Sequence, residues 1–252
     1  MNRTALAVLA HPDDAEFLCA GTLIRLREEQ GWTIHIATMT PGDCGSAEHA
    51  PEEIGRIRRA EGLAAATAIG ASYRCLEERD LRVIYNEVVL EKVVHLLNAV
   101  RPALVFTHSP DDYHLDHEQT SKLVRAATFA APIPNFLWGR QIHPPLEQIP
   151  YLFYCDPLEG KDAFGQPIPP GFRIDISKVI ASKTRMLECH ESQRAWLRKH
   201  HGVDNLVDSM LAWAATQGQA RNLAFAEGFR QHLGHSYPQN NVLIELLERM
   251  HS

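Results

Sequence analysis

Short apolar runs rich in Ala, Val and Ile alternate with longer amphipathic stretches through the first half of the chain, and this alternation predicts βαβ units. Thr4 to Leu9 reads as the first strand. Phe17 to Glu29 places Phe17, Ala20, Leu23 and Ile24 on one face and stops before Gly31, so it reads as a helix with a glycine C-cap. Thr33 to Thr38 is a second strand, Pro51 to Ile69 a helix opened by acidic residues and closed by Gly70, and Tyr73 to Leu76 a short strand. Asn86 to Val100 is helical and stops before Pro102. Ala103 to Thr107 is apolar throughout, as a central parallel strand is, and Glu118 to Phe129 is again a helix.

Strands alternating with helices imply the α/β class: a Rossmann-like, open, mostly parallel twisted sheet with helices on both faces. Such sheets carry their sites at the C-terminal ends of the strands. Residues 1–252 read as a single α/β domain. Within it, 131–170 holds nine of the fifteen prolines and reads as an irregular lid or subunit interface, with one strand at Tyr151 to Cys155. Phe172 to Ile176, a helix from Ser177 to about Gln193 and a helix near Val203 to Ala215 complete the expected fold.

Composition narrows the function classes. With 25 Lys plus Arg against 31 Asp plus Glu, the formal charge of -6 gives neither a nucleic-acid duplex nor an anionic membrane a field to find, which favours a small-molecule substrate. Five scattered cysteines without a C-x-x-C pair indicate neither a disulfide framework nor a Cys-rich zinc site. The Ala5 to Ala10 run is too short for a signal-peptide core, and nothing approaches the ~20 apolar residues of a membrane span. A cytoplasmic protein, with homo-oligomer formation left open, is the expectation.

Two polar clusters each follow directly on an expected parallel strand: His11-Pro12-Asp13-Asp14, and the stretch from His108 to His117. Together they supply imidazoles and carboxylates, the ligand set of catalytic zinc, where three protein ligands leave a fourth position open. No P-loop, dinucleotide fingerprint or nucleophile elbow is present. Taken singly, the first cluster also reads as a helix entry capped by Asp13 or Asp14, and the second as a polar loop in a chain with fourteen histidines. Their occurrence at two strand ends favours a site. His114 and Asp116, two residues apart, read as a His–carboxylate pair that would keep His114 cationic for a tetrahedral oxyanion. Arg58 reads either as a substrate-binding guanidinium or as a solvated helix residue paired with Glu61 or Glu53. His190 reads as a site or a structural histidine, and Tyr154, Trp138 and Arg140 as a substrate platform or a subunit contact.

These motifs, A-H-P-D-D at Ala10 to Asp14 and H-x-D-H at His114 to His117, resemble those of the zinc-dependent N-deacetylases of the PIG-L/LmbE type. Weaker matches follow in order: Thr40 to Asp43, Arg58 to Glu61, Asp175 to Ser177, His190 to Gln193 and Ala226 to Phe229. Leu115 stands where that family usually has proline, and Tyr113 lies one place from the tyrosine of some members, so it receives no role. The resemblance implies that His11, Asp14 and His117 bind Zn²⁺ or another divalent metal, that Asp13 is the general base, and that the substrate is an N-acetylglucosamine-type amino-sugar conjugate. For that substrate the Tyr154, Trp138 and Arg140 platform would be a sugar platform. Two alternatives stand beside it: a catalytically silent zinc- or sugar-binding protein on the same scaffold, and a metallophosphoesterase.

Overall fold

The computed structural model describes residues 2–194 and 206–248. Along the chain run β1 (Thr4–Leu9), α1 (Asp14–Leu18), α2 (Ala20–Gln30), β2 (Thr33–Thr38), α3 (Pro51–Ala68), β3 (Ser72–Cys75), α4 (Glu87–Val100), β4 (Leu104–Thr107), α5 (Leu115–Ala130) and β5 (Tyr151–Cys155). β6 (Phe172–Asp175), α6 (Ile180–Glu188), α7 (Leu206–Gln219), β7 (Ala226–Gln231) and α8 (Val242–Leu247) follow. One seven-stranded sheet has the order β3-β2-β1-β4-β5-β7-β6. Its first five strands are parallel, and β7 pairs antiparallel with both β5 and β6. Chain order reverses direction between β1 and β4, so the crevice at their C-terminal ends is the topological switch point where α/β sheets bind ligands.

Side chains of β1 alternate between two cores, which is why the strand is apolar throughout: Ala5, Ala7 and Leu9 pack on one face, Leu6 and Val8 on the other. The first core takes α2 through Leu23 and Ile24 and α6 through Met186; the second takes α4 and α5 through Val93, Leu97, Leu123 and Val124. The expected glycine C-cap forms, with Gly31 ending α2 at φ 66°. At the start of α4 the Asn86 side chain accepts the Val89 N–H. No helix among the described residues is long and apolar enough to cross a membrane. All five cysteines are free.

Several boundaries differ from the sequence reading, each for a local reason. The helix expected over Phe17 to Glu29 is two helices broken at Cys19, whose φ of −142° is not helical. No side chain of α2 caps its N-terminus; instead the Glu227 carboxylate accepts the N–H groups of Gly21 and Thr22 at 2.8 and 2.7 Å. Gly21 is obligatory there, because a Cβ would lie 2.6 Å from Ile176 Cγ2. The helix expected from Glu118 begins earlier, at Leu115, since His114 caps it by accepting the Asp116 N–H at 3.1 Å. Ser177 to Gln193 is helical over Ile180–Glu188, interrupted at Cys189 and His190, and helical again over 191–194, while the helix near Val203 is Leu206–Gln219, with 203–205 outside the described residues. β7 and α8 were not expected. In Ala226–Gln231 only Phe229 is a large apolar residue, so the run carries no period-two signal.

Beside β7, Asp156 is buried with one oxygen accepting from Gln217 Nε2 at 3.1 Å and the other unpaired. Burial outweighs the nearby Arg230 and Arg173 and pushes its carboxyl up to about 7. The folded chain therefore holds a proton that the unfolded chain releases near pH 4. This contribution to stability is complete below the unfolded value and is lost as pH rises through about 7. Asp156→Asn should gain on the order of 2–4 kcal/mol relative to wild type between pH 5 and pH 8. Urea midpoints of the two proteins across that range check it, and parallel curves would refute it.

Candidate active site

The loop after β1 and the loop after β4 meet over the switch point. His11 Nδ1 lies 3.3 Å from Asp14 Oδ2, and His117 Nε2 lies 3.5 Å from Asp14 Oδ1. One ligand atom each from His11, Asp14 and His117 thus falls within 4.8 Å of the others, a spacing that can hold a metal ion. The remaining nitrogen of each imidazole faces a carboxylate. His11 Nε2 is 3.2 Å from Asp116 Oδ2 and 3.1 Å from Asp80 Oδ1, and His117 Nδ1 is 3.0 Å from Asp112 Oδ1. Carboxylates in that position fix the orientation and basicity of metal-ligating histidines. The set therefore fits a divalent metal such as zinc. His11–His114–Asp116, His108–Asp112–His117 and Asp43–Cys44–Asp80 are also close enough together. Their carboxylates are already engaged: Asp116 and Asp112 accept backbone N–H groups and face the two imidazoles, and Asp43 pairs with Arg79 at 2.6 Å.

The charges follow from these contacts. Burial alone would lower the His11 imidazole, but Asp116, Asp14 and Asp80 outweigh it and hold the ring well above its usual value. Burial alone would raise Asp14, yet His117 and His108 keep it well below the usual carboxylate range. His108, wholly buried and stacked on His117 at 3.8 Å between centroids, is pushed down to about 4 by burial and by that neighbour.

Asp13 has a different environment. Its φ of 102° is unusual for a side chain bearing Cβ and marks strain at the entry to α1. Arg58, buried on α3, donates to Pro12 O at 2.6 Å, Asp13 Oδ2 at 3.2 Å and Gly42 O at 3.3 Å. Gly42 sits at φ 71°, a conformation that favours glycine, and leaves room for the guanidinium, since a Cβ there would sit 2.1 Å from Arg58 Nη1. Burial outweighs Arg58 and pushes the Asp13 carboxyl up to about 6.

Residues 6–128 match the PIG-L family model, described as GlcNAc-PI de-N-acetylase. Over that segment the chain resembles the PIG-L family. It is 26% identical over 236 residues to a 4-oxalmesaconate hydratase of Pseudomonas putida, covering 90% of this chain and 88% of that one. It is 28% identical to a probable N-acetyl-alpha-D-glucosaminyl L-malate deacetylase of Bacillus cereus, covering 84% and 94%. In fold it is similar to N,N'-diacetylchitobiose deacetylase from Pyrococcus horikoshii, with a TM-score of 0.77, 22% identity and coverage of 95% and 88%.

The PIG-L motifs beyond the two clusters act as supports. Ser192 donates to Glu61 through both its N–H and Oγ, at 2.8 and 2.6 Å, and Gln193 Nε2 donates to Gly45 O, tying the His190 to Gln193 segment to α3 and the Gly42 to Gly45 loop. His190 is buried with its Nε2 3.5 Å from Glu16, behind Asp13 and away from the cleft lining. Arg58 is not a solvated residue paired with Glu61 or Glu53; it is the buried partner of Asp13.

One expectation needs correction. The Asp116 carboxylate does not pair with His114: it accepts the Leu81 and Val83 N–H groups at 2.7 and 3.2 Å and faces His11. His114 Nδ1 accepts the Asp116 backbone N–H, so in the neutral ring the proton resides on Nε2. Burial, with His11 and His117 nearby, lowers the His114 imidazole, which argues against a standing cation. Tyr113 lines the cleft. Tyr154, Trp138 and Arg140 do not: Tyr154 bonds His232 at 3.0 Å and Arg140 pairs with Glu91 at 2.6 Å. Asp80, which sequence reasoning missed, sits in a Glu-Glu-Arg-Asp run that reads as a solvated charge cluster, and only the fold brings it under His11.

Proposed function

We propose that this chain is a metal-dependent N-deacetylase of N-acetylglucosamine-type conjugates. The observation that carries the reading is the three-donor set His11, Asp14 and His117, carboxylate-backed at both histidines and adjoining Asp13. Zinc, or another divalent ion, would supply Lewis acidity there, polarising an amide carbonyl and acidifying water toward a pKa of ~7. Asp13 is the general base: its carboxylate, oriented by Arg58, takes the proton from the attacking water and delivers it to the departing amine. His114, with Nδ1 occupied, offers Nε2–H to the developing oxyanion as a neutral donor. Asp116 and Asp80 position His11, and Asp112 positions His117.

The hydratase relative raises a second reading, in which water adds to an unsaturated acid. Charge favours the first. Among the described residues lining the cleft, Asp13, Asp14, Asp80 and Asp112 face a single guanidinium, Arg58, which is already held by Asp13. A polycarboxylate, like a phosphoester, needs unpaired cations that these residues do not offer. The deciding experiment is primary-amine release from a panel of N-acetylglucosamine conjugates by zinc-reconstituted protein, before and after chelation. Turnover that chelation abolishes and zinc restores is the expected result. Bound zinc with no amine release would leave a binding protein, and turnover by metal-free protein would overturn the metal assignment.

A further inference from the structure

The cleft has two chemically different halves, and Asp13, Asp14, Tyr113 and His117 line both. One half, about 260 Å³, is polar, walled by Arg58, Asp80, His114, Gln193 and Cys44. The other, about 150 Å³, is walled by Phe17 and Leu18 of α1, Leu158 of the proline-rich stretch and Leu206 at the start of α7. An amide placed against the three donors sends its two substituents apart. Sugar hydroxyls lose hydrogen bonds to water on entering a site and need replacements, which only the polar half provides in number. The apolar half is left to the acyl group. A cavity of about this size with Leu, Ile and Phe walls holds a benzene-sized group of about six carbons, far more than the one methyl of acetyl.

We infer that the apolar half is an acyl-chain subsite, and that the protein prefers N-acyl amino sugars with linear chains of about four to six carbons over their N-acetyl counterparts. This rests on the N-deacylase reading above and names the acyl specificity of the same site. The reaction balances as it does for acetyl. Water oxygen bonds to the carbonyl carbon, the C–N bond breaks, and the products are a short-chain carboxylate and the amino sugar carrying the proton delivered by Asp13.

Two measurements test it. The first is kcat/KM of zinc-loaded protein on N-acetyl-, N-butanoyl- and N-hexanoyl-glucosamine. A rise of about two- to fourfold per added methylene is expected, the upper figure being full transfer of one CH₂ from water; a flat or falling series overturns the subsite. Hexyl glycoside of N-acetylglucosamine is the control, and a gain there without a gain along the acyl series would assign the apolar half to the aglycone and overturn the inference.

The second does not depend on turnover. Calorimetry of aceto-, butano- and hexanohydroxamate binding to the zinc-loaded protein should show Kd falling along the series, and Leu158→Trp, which narrows the cavity, should flatten it. Tightening along the series without hydrolysis of any N-acyl sugar would support the subsite while rejecting the deacylase reading. Hydrolysis of the acetyl compound with a flat hydroxamate series would do the reverse.

Discussion

Asp13→Asn is expected to keep wild-type metal content and to lose about 10²- to 10⁴-fold in kcat, the usual contribution of a positioned base. Asn preserves the side-chain shape and the oxygen that accepts from Arg58 Nη2, now 3.2 Å from Asp13 Oδ2, so the strained turn at φ 102° has the same anchor. What disappears is the ability to take a proton. Asp14, by contrast, lies against both His11 and His117, and its loss should empty the site. Metal analysis alongside steady-state kinetics distinguishes the two. If Asp13→Asn loses metal and Asp14→Asn retains it, the roles of the neighbouring carboxylates are exchanged.

Glu227→Ala should destabilise the fold by about 3–5 kcal/mol, as expected when one partner of a buried ion pair is removed. Both Glu227 and Lys183 are buried, 2.5 Å apart, and Lys183 Nζ also donates to Phe17 O at 2.8 Å. The carboxylate further accepts from Gly21, from Thr22 N–H and from Thr22 Oγ1, closing the otherwise uncapped start of α2. Removal leaves an ammonium and two backbone N–H groups buried without their acceptor. The double variant Glu227→Gln with Lys183→Met, which removes both charges and keeps an acceptor for the helix, should recover much of the loss. Urea unfolding of the three proteins gives the comparison; a single-variant loss below about 1 kcal/mol would show that the pair contributes little.

The parallel half of the sheet and the two polar clusters that meet at its edge were legible in the sequence. β1, β2 and β5 have the boundaries that their apolar runs indicated, because strands buried on both faces or pinned by flanking Gly and Pro carry their own local signal. The clusters were legible because they follow directly on strands, where an α/β sheet places its site; the choice of His11, Asp14 and His117 within them came from the resemblance of the two motifs to the PIG-L/LmbE type.

Tertiary structure decided what depends on partners remote in the chain. The Asp116 carboxylate serves His11, 105 residues away, and not its near neighbour His114, because the N-terminus of α5 uses His114 as its cap and turns Asp116 toward β1. Arg58 was ambiguous as a helix arginine until the packing of α3 put it under Asp13. Glu227 read as one residue of a weak motif; its value as the cap of a helix 205 residues earlier arises only when β7 is laid antiparallel into the sheet. Local periodicity encodes which face of an element is buried, and says nothing of which buried polar group another element must bring to satisfy it.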